Sequence, residues 1–129
     1  MKTSEAQHQA VVIAWANHPA TLKKWPELER LFHIPNGGSR NKLEAHNLKL
    51  QGVKPGVPDL FLPAARGGFH GLFIEMKSEN GRISEHQKDW GSYLWDAGYM
   101  TKVAYGADEA IDMLKWYLNL GGGDQKWNG

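Results

Sequence analysis

Two short apolar runs, Val57-Pro58-Asp59-Leu60-Phe61-Leu62 and Leu72-Phe73-Ile74-Glu75-Met76-Lys77, do most to limit what this chain can fold into. Each has the length and composition of a buried strand. Yet each holds ionisable groups that a purely structural strand would exclude. Side chains two apart in a strand share a face, so Glu75 and Lys77 project together while Ile74 and Met76 lie opposite. If the two strands pair, Asp59 meets Glu75 at one end of the sheet. Two carboxylates and an amine gathered there suit a hard divalent cation and an activated water, the chemistry of a metal-dependent phosphodiesterase.

The rest of the chain alternates helical and extended segments. Ser4 and Gln7 have capping-box spacing and open a helix over residues 4–17, with Val11, Val12, Trp15 and Ala16 on its apolar side. A short helical or irregular piece covers residues 20–30, and Leu31–Ile34 reads as a brief strand. Pro35-Asn36-Gly37-Gly38 is a turn, after which Ser39 caps a helix ending near Leu50. Strands follow at 59–62 and 72–77, then a helix from Ser84 to Ala97, a strand from Tyr99 to Tyr105 and a helix from Ala107 to Leu120. The order predicts an α/β fold with a central mixed sheet flanked by helices. At 129 residues the expected organisation is one domain over residues 1–120 and a flexible glycine-rich tail over 121–129.

Composition narrows the function classes. Fifteen basic and fourteen acidic residues leave a net charge of +1, so binding to nucleic acid by bulk attraction alone is not expected. There is no cysteine, which excludes disulfides and thiolate metal sites. No long apolar run could span a membrane and the start lacks a signal-peptide pattern, so a cytoplasmic location is expected.

Pro58-Asp59 followed by Glu75-Met76-Lys77 resembles the signature of the PD-(D/E)XK nucleases. The wider string runs from Glu5 through Gly56-Val57-Pro58-Asp59 and Glu75-Met76-Lys77 to Ser84-Glu85-His86-Gln87-Lys88-Asp89-Trp90. It looks like the VRR-NUC branch of that superfamily, from about residue 3 to about residue 105. The resemblance implies a restriction-endonuclease-like core, Mg²⁺ or Mn²⁺ as cofactor, and Asp59 and Glu75 as metal ligands with the Met76 backbone carbonyl completing the oxygen shell. It also implies site roles for Glu5, through a water on the metal or by positioning the nucleophile, and for Gln87 as a positioning group.

Each of these residues has a plainer reading. Asp59 suits a turn after proline, and Glu75 and Lys77 could be a modest surface ion pair. Lys77 could orient the attacking water or stabilise charge developing on phosphorus; nearby carboxylates oppose its acting as a neutral base. Glu5 is favoured in a first helical turn by the helix dipole, and Gln87 belongs to the Ser84 capping box. The six histidines show no zinc spacing and read as ordinary surface or strand-end residues. Ser39 and Arg40, after the glycine turn, are candidate phosphate contacts, and Lys54 and Arg66 could extend a basic rim. Trp116 and Tyr117 are interface candidates whose alternative is the core.

The expected function is a metal-dependent endonuclease. Small standalone relatives resemble phage and bacterial enzymes acting on branched DNA, including four-way junctions, and recognition of such DNA by a symmetric homodimer follows from the lack of a separate targeting domain. The competing expectations are a non-catalytic DNA-binding module and a subunit of a larger phage complex.

Overall fold

The computed structural model describes residues 2–36 and 41–121. In chain order the elements are α1 (Glu5–Ala16), α2 (Pro19–Lys24), a 3-10 turn (Pro26–Arg30), β1 (Phe32–His33), α3 (Lys42–Leu50), β2 (Leu60–Leu62), β3 (Leu72–Lys77), α4 (Glu85–Asp96), β4 (Met100–Tyr105) and α5 (Ala107–Leu118). The sheet order is β1-β2-β3-β4, antiparallel across the first two pairs and parallel between β3 and β4. A parallel pair needs a long crossover, and α4 supplies it. The α/β architecture with a mixed sheet between helices is the one expected.

All six residues of β3 are buried, as suits a central strand. Leu72, Ile74 and Met76 face one way and pack with Ala104 of β4 beneath α1 and α5, against Val12, Ala110, Leu114 and Leu118. Each fully buried leucine, isoleucine, methionine or valine here stabilises the fold by about 1.5–3 kcal/mol. Phe73, Glu75 and Lys77 take the other face. There Phe61 stacks on Phe73 at 4.2 Å and Tyr99 meets both rings edge-on. That face is therefore aromatic at one end of β3 and ionisable at the other.

Both capping boxes form. Ser4 and Gln7 exchange hydrogen bonds at 3.1 and 2.8 Å, and Ser84 and Gln87 at 3.2 and 2.9 Å. Several expectations need correction. Val11 is half exposed, because α1 turns Val12 and Ala16 into the core with Ile13 and Trp15 partly buried beside them. The N-cap of α3 is Asn41, whose Oδ1 accepts from the N–H groups of Leu43 and Glu44; Ser39 lies outside the described residues. Tyr117 is wholly buried with its hydroxyl donating to the Ala64 carbonyl at 2.6 Å, whereas Trp116 is half exposed. The tail over 122–129 also lies outside the described residues. Among those described, no helix is long and apolar enough to cross a membrane.

Candidate active site

The register of β2 on β3 sets Leu60 against Ile74, so the next position along brings Asp59 level with Glu75. Asp59 is tied at both ends. Its backbone carbonyl accepts from the Ile34 N–H at 2.8 Å and lies 2.9 Å from His33 Nδ1, which must therefore carry the proton. Its side-chain Oδ2 accepts from the Met76 N–H at 2.7 Å. The N–H and carbonyl of one strand residue leave on the same side. The Met76 carbonyl thus points toward Asp59, while the neighbouring Lys77 carbonyl accepts from Gly106 on the β4 side.

Glu75 is only 6% exposed. Its Oε2 accepts from Gln87 Nε2 at 3.1 Å and lies 3.8 Å from Lys77 Nζ. Its Oε1 is buried and no donor among the described residues reaches it, the neighbouring Asp59 carboxyl being an acceptor like itself unless the two share a proton. Burial pushes the Glu75 carboxyl up to about 8; a hydrogen-bonding contact with the Asp59 carboxyl and that group's charge add to the rise, Lys77 opposes it, and Glu5 contributes from further away. An orphaned, buried carboxylate oxygen beside a second carboxylate calls for a proton or a cation.

Lys77 is as buried as the two acids, and Glu75 is its one ion-pair partner among the described residues. Its stem packs under the turn at Gly81, where a Cβ would come within 3.0 Å of Lys77 Cδ. Glu5 is exposed at the start of α1, and its charge is felt at Glu75. The structure therefore gathers Asp59, Glu75, Lys77 and Gln87, with Glu5 at the margin.

Of the expected basic rim, Lys54 and Arg66 are among the described residues. Arg40, like Ser39, lies outside the described residues. Lys54 is exposed in the loop before β2. Arg66 is engaged within the fold: its guanidinium pairs with Glu27 and donates to the carbonyls of Ala65 and Leu118, tying the β2–β3 connection to the end of α5. These partners account for Arg66 as a structural tie.

Two residues support the site in ways the sequence did not assign. His33 anchors Asp59, and it appeared in sequence as one of six unremarkable histidines. Gly56 has φ of +89°, and a Cβ there would lie 2.6 Å from the His86 backbone. The Gly56-Val57-Pro58-Asp59 loop thus presses against the start of α4, which aligns Asp59 and Gln87. His8 also has a task, its Nδ1 accepting from the Ala107 N–H at 3.0 Å where Gly106 offers α5 no side-chain cap.

Among the described residues, no trio of His, Asp or Glu side chains is gathered for a metal ion. Two carboxylates and the Met76 carbonyl form an all-oxygen set, which fits a hard cation completed by water.

The fold is thus a mixed sheet between helices, with two acids and a lysine at one end of β3. The chain belongs to the VRR-NUC domain family, which it matches over residues 3–108, and the family is nuclease-related. A solved structure described as a VRR_NUC domain protein is 34% identical, with 94% of this chain and 93% of that one covered and a TM-score of 0.77. No curated protein matches.

Proposed function

We propose that this chain is a Mg²⁺- or Mn²⁺-dependent endonuclease that hydrolyses DNA phosphodiester bonds. The observation that carries the reading is the buried Asp59–Glu75 pair, with Glu75 Oε1 orphaned and its carboxyl held up to about 8. Asp59, Glu75 and the Met76 carbonyl would hold the cation, with Glu5 adding a ligand through water. When bound, such a cation lowers the pKa of a water and polarises the scissile phosphate.

The remaining chemistry belongs to the chain. Lys77 is buried beside the pair, so its ammonium is largely desolvated and acts at full strength on the nucleophile and on charge at phosphorus. Its protons point donors at oxygen and cannot ligate a metal. Gln87 fixes the Glu75 rotamer by donating to Oε2, leaving Oε1 for the cation. Lys54, with Ser39 and Arg40, would touch flanking phosphates.

Preference for branched DNA and assembly as a homodimer complete the proposal. The near-neutral charge supports recognition by shape over bulk attraction. No residue of α3 is buried, and Leu43 and Leu50 stand 69% and 72% exposed on it, a surface a second copy would cover.

The test is incubation with linear, flap, splayed and four-way DNA under Mg²⁺ and Mn²⁺, with and without chelator, alongside light scattering. Chelator-sensitive nicking that Asp59→Asn and Glu75→Gln abolish is expected. Near-normal cutting by either variant would remove that residue from the site. A strict monomer, or equal cutting of linear and branched DNA, would remove the finer claims.

A further inference from the structure

Beside the two acids, between α4 and the β3–β4 pair, lies a cavity of about 210 Å³. Pro58, Ile83, Gly91 and Val103 supply mostly apolar walls, and Glu75 and Gln87 stand at the end it shares with the site. Gly91 is the informative position. It sits inside α4 without a positive φ, and a Cβ built there meets nothing within 4 Å. Neither backbone conformation nor a close neighbour requires glycine, and glycine is a poorer helix former than alanine. What its missing side chain leaves is open space at the cavity wall.

We propose that this cavity receives the nucleobase next to the scissile phosphate, swung out of its stack, while the phosphate rests at Asp59, Glu75 and Lys77. The inference rests on the nuclease reading and names the substrate feature that reading leaves open. The volume admits one flat heteroaromatic ring. Glu75 borders both the cavity and the reacting centre, which matches the short reach from a phosphate to its own base. Ser92 and Thr101 also line it; the Thr101 hydroxyl donates to the Gly91 carbonyl at 3.5 Å and keeps its lone pairs, while a serine hydroxyl both donates and accepts, so any base is tolerated.

A base inside continuous duplex must be unpaired before it can enter, and that cost is least where it is already unpaired. Flaps, splayed arms and branch points are therefore favoured by each subunit on its own.

The experiment compares two splayed DNA substrates that differ only at the nucleotide beside the cut, one carrying a base and one abasic. The full chain with Mn²⁺ is expected to cut the first roughly tenfold faster, the scale of one buried ring. Gly91→Leu should collapse that preference without lowering the melting temperature, since leucine is the better helix former. Gly91→Ala should give an intermediate ratio, and it serves if leucine perturbs the fold. Equal cutting of both substrates by the unmodified chain would overturn the base pocket and leave the nuclease reading standing. Failure to cut either would remove both. A wild-type ratio in both stably folded Gly91 variants would show that the base does not enter this cavity.

Discussion

Gln87 holds Glu75 with one end of its amide and the start of its own helix with the other. Nε2 donates to Glu75 Oε2 at 3.1 Å, and Oε1 accepts from the Ser84 N–H at 2.9 Å. The helix cap and the orientation of the acid are thus one side chain's work, and each constrains the other.

Substitution can separate the two tasks. Gln87→Glu retains an oxygen for the cap but loses the amide donor and sets a like charge against Glu75. It should melt within about 1 kcal/mol of wild type while turnover falls roughly tenfold or more, the usual cost of losing a ligand's orienting partner. Wild-type kinetics in that variant would reduce Gln87 to a cap.

Lys77→Ala should lose cleavage and keep metal binding, because a protonated amine offers a cation no lone pair. Titration calorimetry with Mn²⁺ decides the point. Joint loss of binding and activity would mean that the ammonium organises the acids themselves.

Glu75 gives the metal-free chain a defined pH response. Its carboxyl ionises near 4.5 when unfolded and at about 8 when folded. Between those values the folded state holds more proton than the unfolded one, so this group's contribution is full below 4.5, declines as pH rises and levels off above about 8. Melting temperature in chelator should fall from pH 5 to 8, and Glu75→Gln should flatten the slope. Metal binding at pH 7 should release a proton, visible as a buffer-dependent heat.

Glu5→Gln should lower turnover more than stability, and should shift the Glu75 midpoint downward by removing a repelling charge. A role confined to the helix dipole would instead cost up to about 1 kcal/mol of stability with kinetics unchanged. Comparing melting curves with initial rates distinguishes the two.

Gly56→Ala should destabilise by about 2 kcal/mol or more, from the left-handed backbone and the clash with His86 together. Because that contact aligns the Asp59 loop with α4, cleavage should fall further than the unfolded fraction explains. A variant equal to wild type in both respects would show that the loop adjusts freely.

Local rules determined a large part of this molecule. Period-two patterning placed Glu75 and Lys77 on one face of β3, two capping boxes started α1 and α4, and glycine turns closed the loops. Such features depend on near neighbours in the chain, so they are legible without tertiary contacts. The nearness of Asp59 to Glu75 was legible as well, once the strands were assumed to pair. Tertiary structure alone decided what each isolated side chain meets across the fold. His33 anchors Asp59, His8 caps α5, Arg66 is engaged by Glu27, and Tyr117 is core while Trp116 is not. Nothing in a residue's own neighbourhood encodes those partners, because burial and pairing are set by segments far away along the chain. The orphaned oxygen of Glu75 and the open space at Gly91 belong to the same class: each is a gap, and only the packed fold defines a gap.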